Sequence, residues 1–419
     1  MNMTDCIIPE GYKETALGII PQEWEVIFLG NLLSRCANGL TYNVSIASGI
    51  PVTRIETIST GKINYMKVGY IPDGSGYEPF LMQKGDILYS HINSLSQIGK
   101  VAYYNDDKKI YHGMNLLLLR ANNCLDKQYL YYILSTEHMR HVAQVIAKPA
   151  VNQASISISD LKRVKVPVPP LAEQKKIAEV LEIWDKAIEK QTQLIDKLEL
   201  RKKGLMQQLL TGKKRLPGFS GEWKKVKLGD ICEKVTRKNT EDNKNVMTIS
   251  AQQGFVIQTD FFNKSVASET LESYYLVLRD EFCYNKSYSN GYPMGAIKRL
   301  TEADKAVVTS LYICFNVKSS IRVSIDYLSY YFDYGGLNRG LTKIANEGGR
   351  AHGLLNVTPT DFFRLVFDIP YYEEQNAIAQ VLTATDHEIE IAQQKLALLR
   401  QQKHGLMQQL LIGKKRVKI

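Results

Sequence analysis

Gly204-Leu205-Met206-Gln207-Gln208-Leu209-Leu210, followed by Gly212-Lys213-Lys214-Arg215, returns 201 residues later as Gly405-Leu406-Met407-Gln408-Gln409-Leu410-Leu411 and Gly413-Lys414-Lys415-Arg416. The correspondence runs back without a gap through Glu173-Gln174 and Glu374-Gln375 to Pro169 and Pro370. A period of about half the 419-residue chain means a duplicated unit. A protein with two like units suits a target with two like sites.

The block between these landmarks has a helical period. Apolar residues fall at Ile177, Leu181, Trp184, Ile188, Ile195, Leu198, Leu205 and Leu209, with Gln191 and Lys202 in the two remaining places. The steps alternate between four and three, which is an a/d heptad seam. The second copy runs through Ile378, Leu382, Ile389, Leu396, Leu399, Leu406 and Leu410, with Thr385, Ala392 and Lys403 between them. A lysine interrupts both seams at the same place. Pro169-Pro170 and Pro370 suit helix starts. Gly212 and Gly413 suit the left-handed C-terminal cap, and Lys-Lys-Arg suits the negative end of the helix dipole. Each helix spans about 40 residues, or about 60 Å. A narrow apolar seam needs a partner, and the other repeat supplies one. Gly204 and Gly405 each cost about 1 kcal/mol against alanine. Their shared position points to close backbone contact, a bend or common ancestry.

The chain thus divides into a globular block at 1–169, a helix at 170–212, a second block at 213–369 and a helix at 370–419. The blocks share punctuation. Trp24, Leu29 and Gly30 answer Trp223, Leu228 and Gly229, and Lys84–Tyr89 answers Arg279–Tyr284. Strand-like runs occur at Gly85–Ser90, Gly99–Tyr104, Leu116–Arg120, Ala306–Val317 and Leu365–Ile369. Short helices are expected at Lys127–Leu134 and Tyr327–Phe332, capped by Asp126 and Asp326. The fold class is α+β. Similar helices around divergent blocks read as a fixed scaffold carrying two exchangeable readers.

A net charge of +10 favours an anionic partner, nucleic acid first among them. Cys6, Cys36, Cys124, Cys232, Cys283 and Cys314 form no C-x-x-C pair and no zinc pattern, which fits a reducing cytoplasm. No signal-peptide pattern opens the chain, and no run is apolar enough to span a bilayer.

Self-contained catalysis is not legible. The turn that holds a target amine in DNA amino-methyltransferases is missing, since Pro169-Pro170 lies between Val168 and Leu171. No glycine-rich cofactor loop or phosphate loop appears. Asp73 and Glu78 lack the lysine of a nuclease centre, Phe80 standing in its place. The histidines are scattered, and no metal site is expected. Loops offer better candidates for DNA contact. His91, Asn93 and Ser94 lie between two strand-like runs, and their counterparts are Lys286, Ser287, Tyr288 and Asn290. A second pair of segments carries Lys148, Asn152 and Gln153, and then Arg350 and His352 beside Gly348-Gly349. Amides, hydroxyls and cations suit base edges and phosphates, and Arg350 is the best single guanine reader.

Pro-x-Pro-Pro-Leu-Ala-Glu-Gln (Pro167–Gln174), opening a helix that ends in Gly-Leu-Met-Gln-Gln-Leu-Leu-Thr-Gly-Lys-Lys-Arg (Gly204–Arg215), resembles the specificity (S) subunits of type I restriction–modification systems. The resemblance covers the whole chain. The second copy departs at Pro370-Tyr371-Tyr372-Glu373, where the first has Pro169-Pro170-Leu171-Ala172. The resemblance implies two target recognition domains joined by an antiparallel coiled coil. Each domain would read one half of a bipartite, asymmetric site in double-stranded DNA, and the coil would set the spacer. Two methyltransferase subunits and restriction/translocase subunits would be the partners. S-adenosylmethionine, ATP and magnesium would belong to those partners, and this chain would be non-catalytic. Three other readings stay open: an enzyme with an unfamiliar site, a coiled-coil adaptor without a DNA role, and a partner of a fused methyltransferase–nuclease.

Overall fold

The structure is a computed structural model that describes residues 8–42, 45–151, 153–262, 271–347 and 355–418. Two helices dominate it, Leu171–Leu209 and Tyr372–Leu410, each 39 residues long. Gly212 and Gly413 follow them with φ of 67° and 74°, the left-handed conformation that ends a helix at glycine. Both helices run unbroken through Gly204 and Gly405. A Cβ added at either glycine would meet nothing within 4 Å. Among the described residues, close backbone contact is therefore not the reason for either glycine, which leaves a bend or common ancestry.

The chain packs as two compact units. One is Met1–Thr192 with Lys395–Ile419, and the other is Gln193–Gln394. The chain passes from one unit to the other in the middle of each long helix. Each unit thus holds one recognition domain, one half of the first long helix and one half of the second.

In the first unit, four strands order as Leu33–Asn38, Leu117–Ala121, Ile87–Tyr89 and Val101–Tyr103, all antiparallel. Both faces of this sheet are covered, so its central strands are continuously apolar instead of alternating. Ile87, Tyr89, Leu117 and Leu119 face a core that includes the helix Lys127–Leu134 and the seam residues Ile177, Leu181 and Leu410. Leu88 and Leu118 face a smaller core with Ile58, Met82 and Ile110. Asp126 caps its helix as expected, its Oδ1 accepting from Gln128 N at 3.0 Å and Tyr129 N at 2.9 Å.

The second unit repeats this plan with Cys232–Lys234, Ile313–Val317, Phe282–Asn285 and Ala296–Arg299 in the same order. Phe282, Tyr284, Ile313 and Phe315 join Leu209, Ile378 and Leu382 in one core, while Cys283 and Cys314 turn into another. The turn before the third strand of each sheet is also repeated. Gly85 and Asp280 both have positive φ, 98° and 71°. The following Asp86 and Glu281 are buried and each grips an arginine, Arg120 and Arg237 respectively.

Two local expectations fail. The run Ala306–Val317 is two strands, Lys305–Val308 and Ile313–Val317, because a turn at Thr309–Tyr312 sends them into different sheets. The helix expected at Tyr327–Phe332 spans Ile325–Asp333 and is capped by Ser324, whose hydroxyl accepts from Tyr327 N. Asp326 lies inside the first turn and pairs with Arg299 at 2.5 Å.

Candidate nucleic-acid interface

The two candidate loops of the first recognition domain meet in one small sheet. Ile92–Asn93 pairs with Gln153–Ser155, which pairs with Lys148–Ala150. Ala154 stands opposite Asn93, and Lys148 opposite Ser155. His91 joins the same seam, its carbonyl accepting from Ile156 N at 2.8 Å. The loop is held from behind by the helix Glu137–Ile146. Arg140 donates to Ser96 O at 2.8 Å and Gln144 to Leu95 O at 3.3 Å.

Side chains differ in how free they are. Asn93 Nδ2 donates to Ser90 Oγ at 3.1 Å and its Oδ1 accepts from Ser94 N at 2.9 Å, so this amide shapes its own turn. Ser94 and Ser96 hydroxyls lie 3.2 Å apart. Gln153 is exposed, and Val151 beside it is 92% exposed. Lys148 is exposed and lies 3.6 Å from Asp160.

In the second domain the counterpart loop meets a two-stranded pair, Asn346–Glu347 with Leu355–Asn356, through a backbone hydrogen bond. Lys286 O accepts from Leu355 N at 3.1 Å. Ser287 N donates to Asn285 Oδ1 at 3.1 Å. Ser289 and Tyr292 exchange backbone hydrogen bonds around Asn290-Gly291, and Gly291 has φ of 82°. Tyr288 projects from this hairpin, 63% exposed, and Asn290 O accepts from Gln252 Nε2 at 3.0 Å. Asn152, Arg350 and His352 lie outside the described residues.

The seam residues are buried or half-buried along both long helices, from Ile177 to Leu209 and from Ile378 to Leu410. Periodicity did not reveal what surrounds the interrupting lysines. In the first unit, Lys403 Nζ lies 2.5 Å from Asp185 Oδ1 and over the Tyr132 ring, while Tyr132 OH donates to Asp185 Oδ2 at 2.7 Å. In the second, Lys202 Nζ lies 2.5 Å from Asp386 Oδ1 and over the Tyr330 ring, while Tyr330 OH donates to Asp386 Oδ2 at 2.7 Å. Each node joins both long helices to a recognition domain. Opposed pairs within each unit, Glu173 with Arg416 and Asp185 with Lys403 in the first and Glu374 with Arg215 and Asp386 with Lys202 in the second, mean that the helix halves of each unit run antiparallel.

The repeated Glu-Gln pairs have a matching role. Gln174 Oε1 accepts from Asp126 N at 2.7 Å, and Gln375 Oε1 accepts from Ser324 N at 2.9 Å. Each amide also donates to its own helix-leading proline carbonyl, Pro169 at 2.9 Å and Pro370 at 2.8 Å. The glutamates are buried and paired with arginine, Glu173 with Arg416 and Glu374 with Arg215. Among the described residues no His, Cys, Asp and Glu side chains gather as a metal site, and no helix is long and apolar enough to cross a membrane.

The model of the type I restriction modification DNA specificity domain matches twice, at residues 21–200 and 220–401. A chain from Methanocaldococcus jannaschii, named as specificity subunit of the MjaX type I restriction enzyme, is 33% identical over 98% of this chain and 97% of its own length. The solved S subunit of a type I restriction–modification system from M. genitalium shares the fold at TM-score 0.53 and 16% identity, covering 93% of this chain and 96% of that one. A chain solved in work on complex assembly and conformational transition of the type I R-M system aligns at TM-score 0.56 and 14% identity, covering 94% and 99%.

Proposed function

Because the chain belongs to the type I restriction–modification DNA specificity family, we propose that it reads one bipartite, asymmetric DNA site and directs adenine methylation and restriction there. Each recognition domain reads one half-site. The long helices carry the readers, and their length sets the unread spacer. Catalysis belongs to partners: two methyltransferase subunits using S-adenosylmethionine, and restriction/translocase subunits using ATP and magnesium. The complex works in the cytoplasm.

One observation carries this reading. The same four-stranded sheet is built twice, and in each a return segment donates to the second residue past the matched Tyr89 or Tyr284, Ile156 N to His91 O and Leu355 N to Lys286 O, yet the register of these junctions and the loop residues around them differ. A common frame with unlike loops fits two unlike half-sites. Phosphate contacts would fix each domain on the duplex, and base contacts would specify its half.

Mapping adenine methylation across the genome of the source strain, with and without this chain, tests the reading. Loss of methylation at one bipartite motif is expected. Unchanged methylation alongside active methyltransferase partners would overturn it.

A further inference from the structure

The second residue after the matched Tyr89 and Tyr284 holds the same sequence position in both recognition domains. In the first it is His91, whose carbonyl accepts from Ile156 N; in the second it is Lys286, whose carbonyl accepts from Leu355 N. The helix caps that follow on the two return segments are matched as well, although Ser157 directly follows Ile156 and Thr358 lies three residues past Leu355, so the junctions differ in register by two residues. Ser157 caps the helix Ile158–Lys162, accepting from Asp160 N at 3.0 Å. Thr358 caps the helix Pro359–Phe363, accepting from Asp361 N at 3.1 Å.

Both side chains are polar; His91 is buried and Lys286 half-buried. His91 is only 5% exposed, and its Nδ1 has no partner. It forms part of the wall of a pocket of about 450 Å³ that combines Asn38, Lys148, Ser155, Ser157 and Ser159 with three isoleucines. Lys286 is half-buried, and burial lowers its pKa. Withdrawing such groups from water is costly unless a partner restores what water supplied.

We propose that this shared position is a phosphate anchor in each recognition domain: His91 with Lys148 and the pocket hydroxyls grips one DNA backbone phosphate, and Lys286 grips its counterpart at the other half-site. The proposal rests on reading the chain as a bipartite DNA reader. A base contact would be expected to differ in place between domains that read different sequences. The backbone is common to all sequences, so equivalent positions meet it equivalently. Lysine and serine are also ordinary phosphate donors. Asp160 stands beside the pocket, but its pair with the exposed Lys148 is long at 3.6 Å and worth little. Its carboxylate already accepts from Ser157 Oγ at 2.7 Å.

The test uses the full chain assembled with its methyltransferase partner and a duplex carrying the motif found by methylation mapping. His91→Gln, Lys148→Met and Lys286→Met should each weaken binding about ten- to hundredfold and leave the methylated motif unchanged. The two lysine variants should also reduce the slope of log affinity against log salt by about one. Lys148 is exposed, so its variant does not depend on tolerance of a buried substitution. Single uncharged methylphosphonates placed along the duplex should reveal one phosphate per half-site whose neutralisation weakens the wild type but not the matching variant. A changed base at either half-site, or no phosphate showing this coupling, would overturn the proposal. Absence of any bipartite motif with the wild type would instead sink the reading beneath it.

Discussion

Arg416 closes on Glu173 through two hydrogen bonds, Nε to Oε1 at 2.6 Å and Nη2 to Oε2 at 2.8 Å. Trp24 Nε1 adds a third donor to the same carboxylate at 3.0 Å. The relationship recurs 201 residues on with the partners exchanged: Arg215 of the first repeat holds Glu374 of the second, at 2.5 and 2.6 Å. The glutamates are fully buried, so removing either arginine strands a buried charge. Arg416→Met or Arg215→Met should destabilise its own unit by about 3–5 kcal/mol. Replacing both members of one pair by apolar residues should cost less. Unfolding curves for the single and double variants measure the difference, and equal losses would refute the argument.

The lysine nodes should behave as coupled triads. Lys403→Met and Asp185→Asn should be non-additive by about 1–3 kcal/mol, because each removes the other's partner. Tyr132→Phe should cost about 1.5–3 kcal/mol, since its hydroxyl donates to a charged acceptor. A double-mutant cycle in urea checks both. Strict additivity would mean that Lys403 and Asp185 are merely near one another.

Helix length should govern spacing. One heptad inserted within Ile188–Leu198, with its match within Ile389–Leu399, keeps the seam period and leaves every node paired. The methylated motif should keep both half-sites and change its spacer. Altered half-site sequences would show that the helices take part in reading.

Acid should weaken the first recognition domain selectively. Burial pushes His91 and His112 down to about 4, against an ordinary value of 6.5. Between those values the unfolded chain binds more protons than the folded one. The contribution is therefore complete above about pH 6.5 and lost as pH falls toward 4, on the order of 3 kcal/mol per histidine. Thermal unfolding of His91→Gln/His112→Gln should depend less steeply on pH across that window. An identical slope would assign the acid sensitivity elsewhere.

The long helices were legible because both of their rules are local: a repeating seam and glycine caps. Lys202 and Lys403 were visible as interruptions, but their meaning was not. Asp185 and Asp386 sit beside the seam, and Tyr132 and Tyr330 come from other elements. The short-helix cap was misplaced because Ser324 and Asp326 are both good caps. What decides is Gln375, fifty-one residues away, which holds Ser324 N. The candidate loops were visible one by one. Their meeting in one small sheet depends on pairing between Asn93 and Ala154, a long-range contact that neither segment announces.

The interleaving of halves has a consequence for synthesis. Gln193–Gln394 is one continuous stretch, while Met1–Thr192 must be joined by Lys395–Ile419. The unit that leaves the ribosome first is thus the last to be sealed, since Leu410 and Leu411 complete its core and Arg416 neutralises Glu173. A nascent chain that stops short of Lys395 would hold a finished second reader and an unfinished first one, with buried-type apolar surface and an unpaired carboxylate left for chaperones and proteases to find.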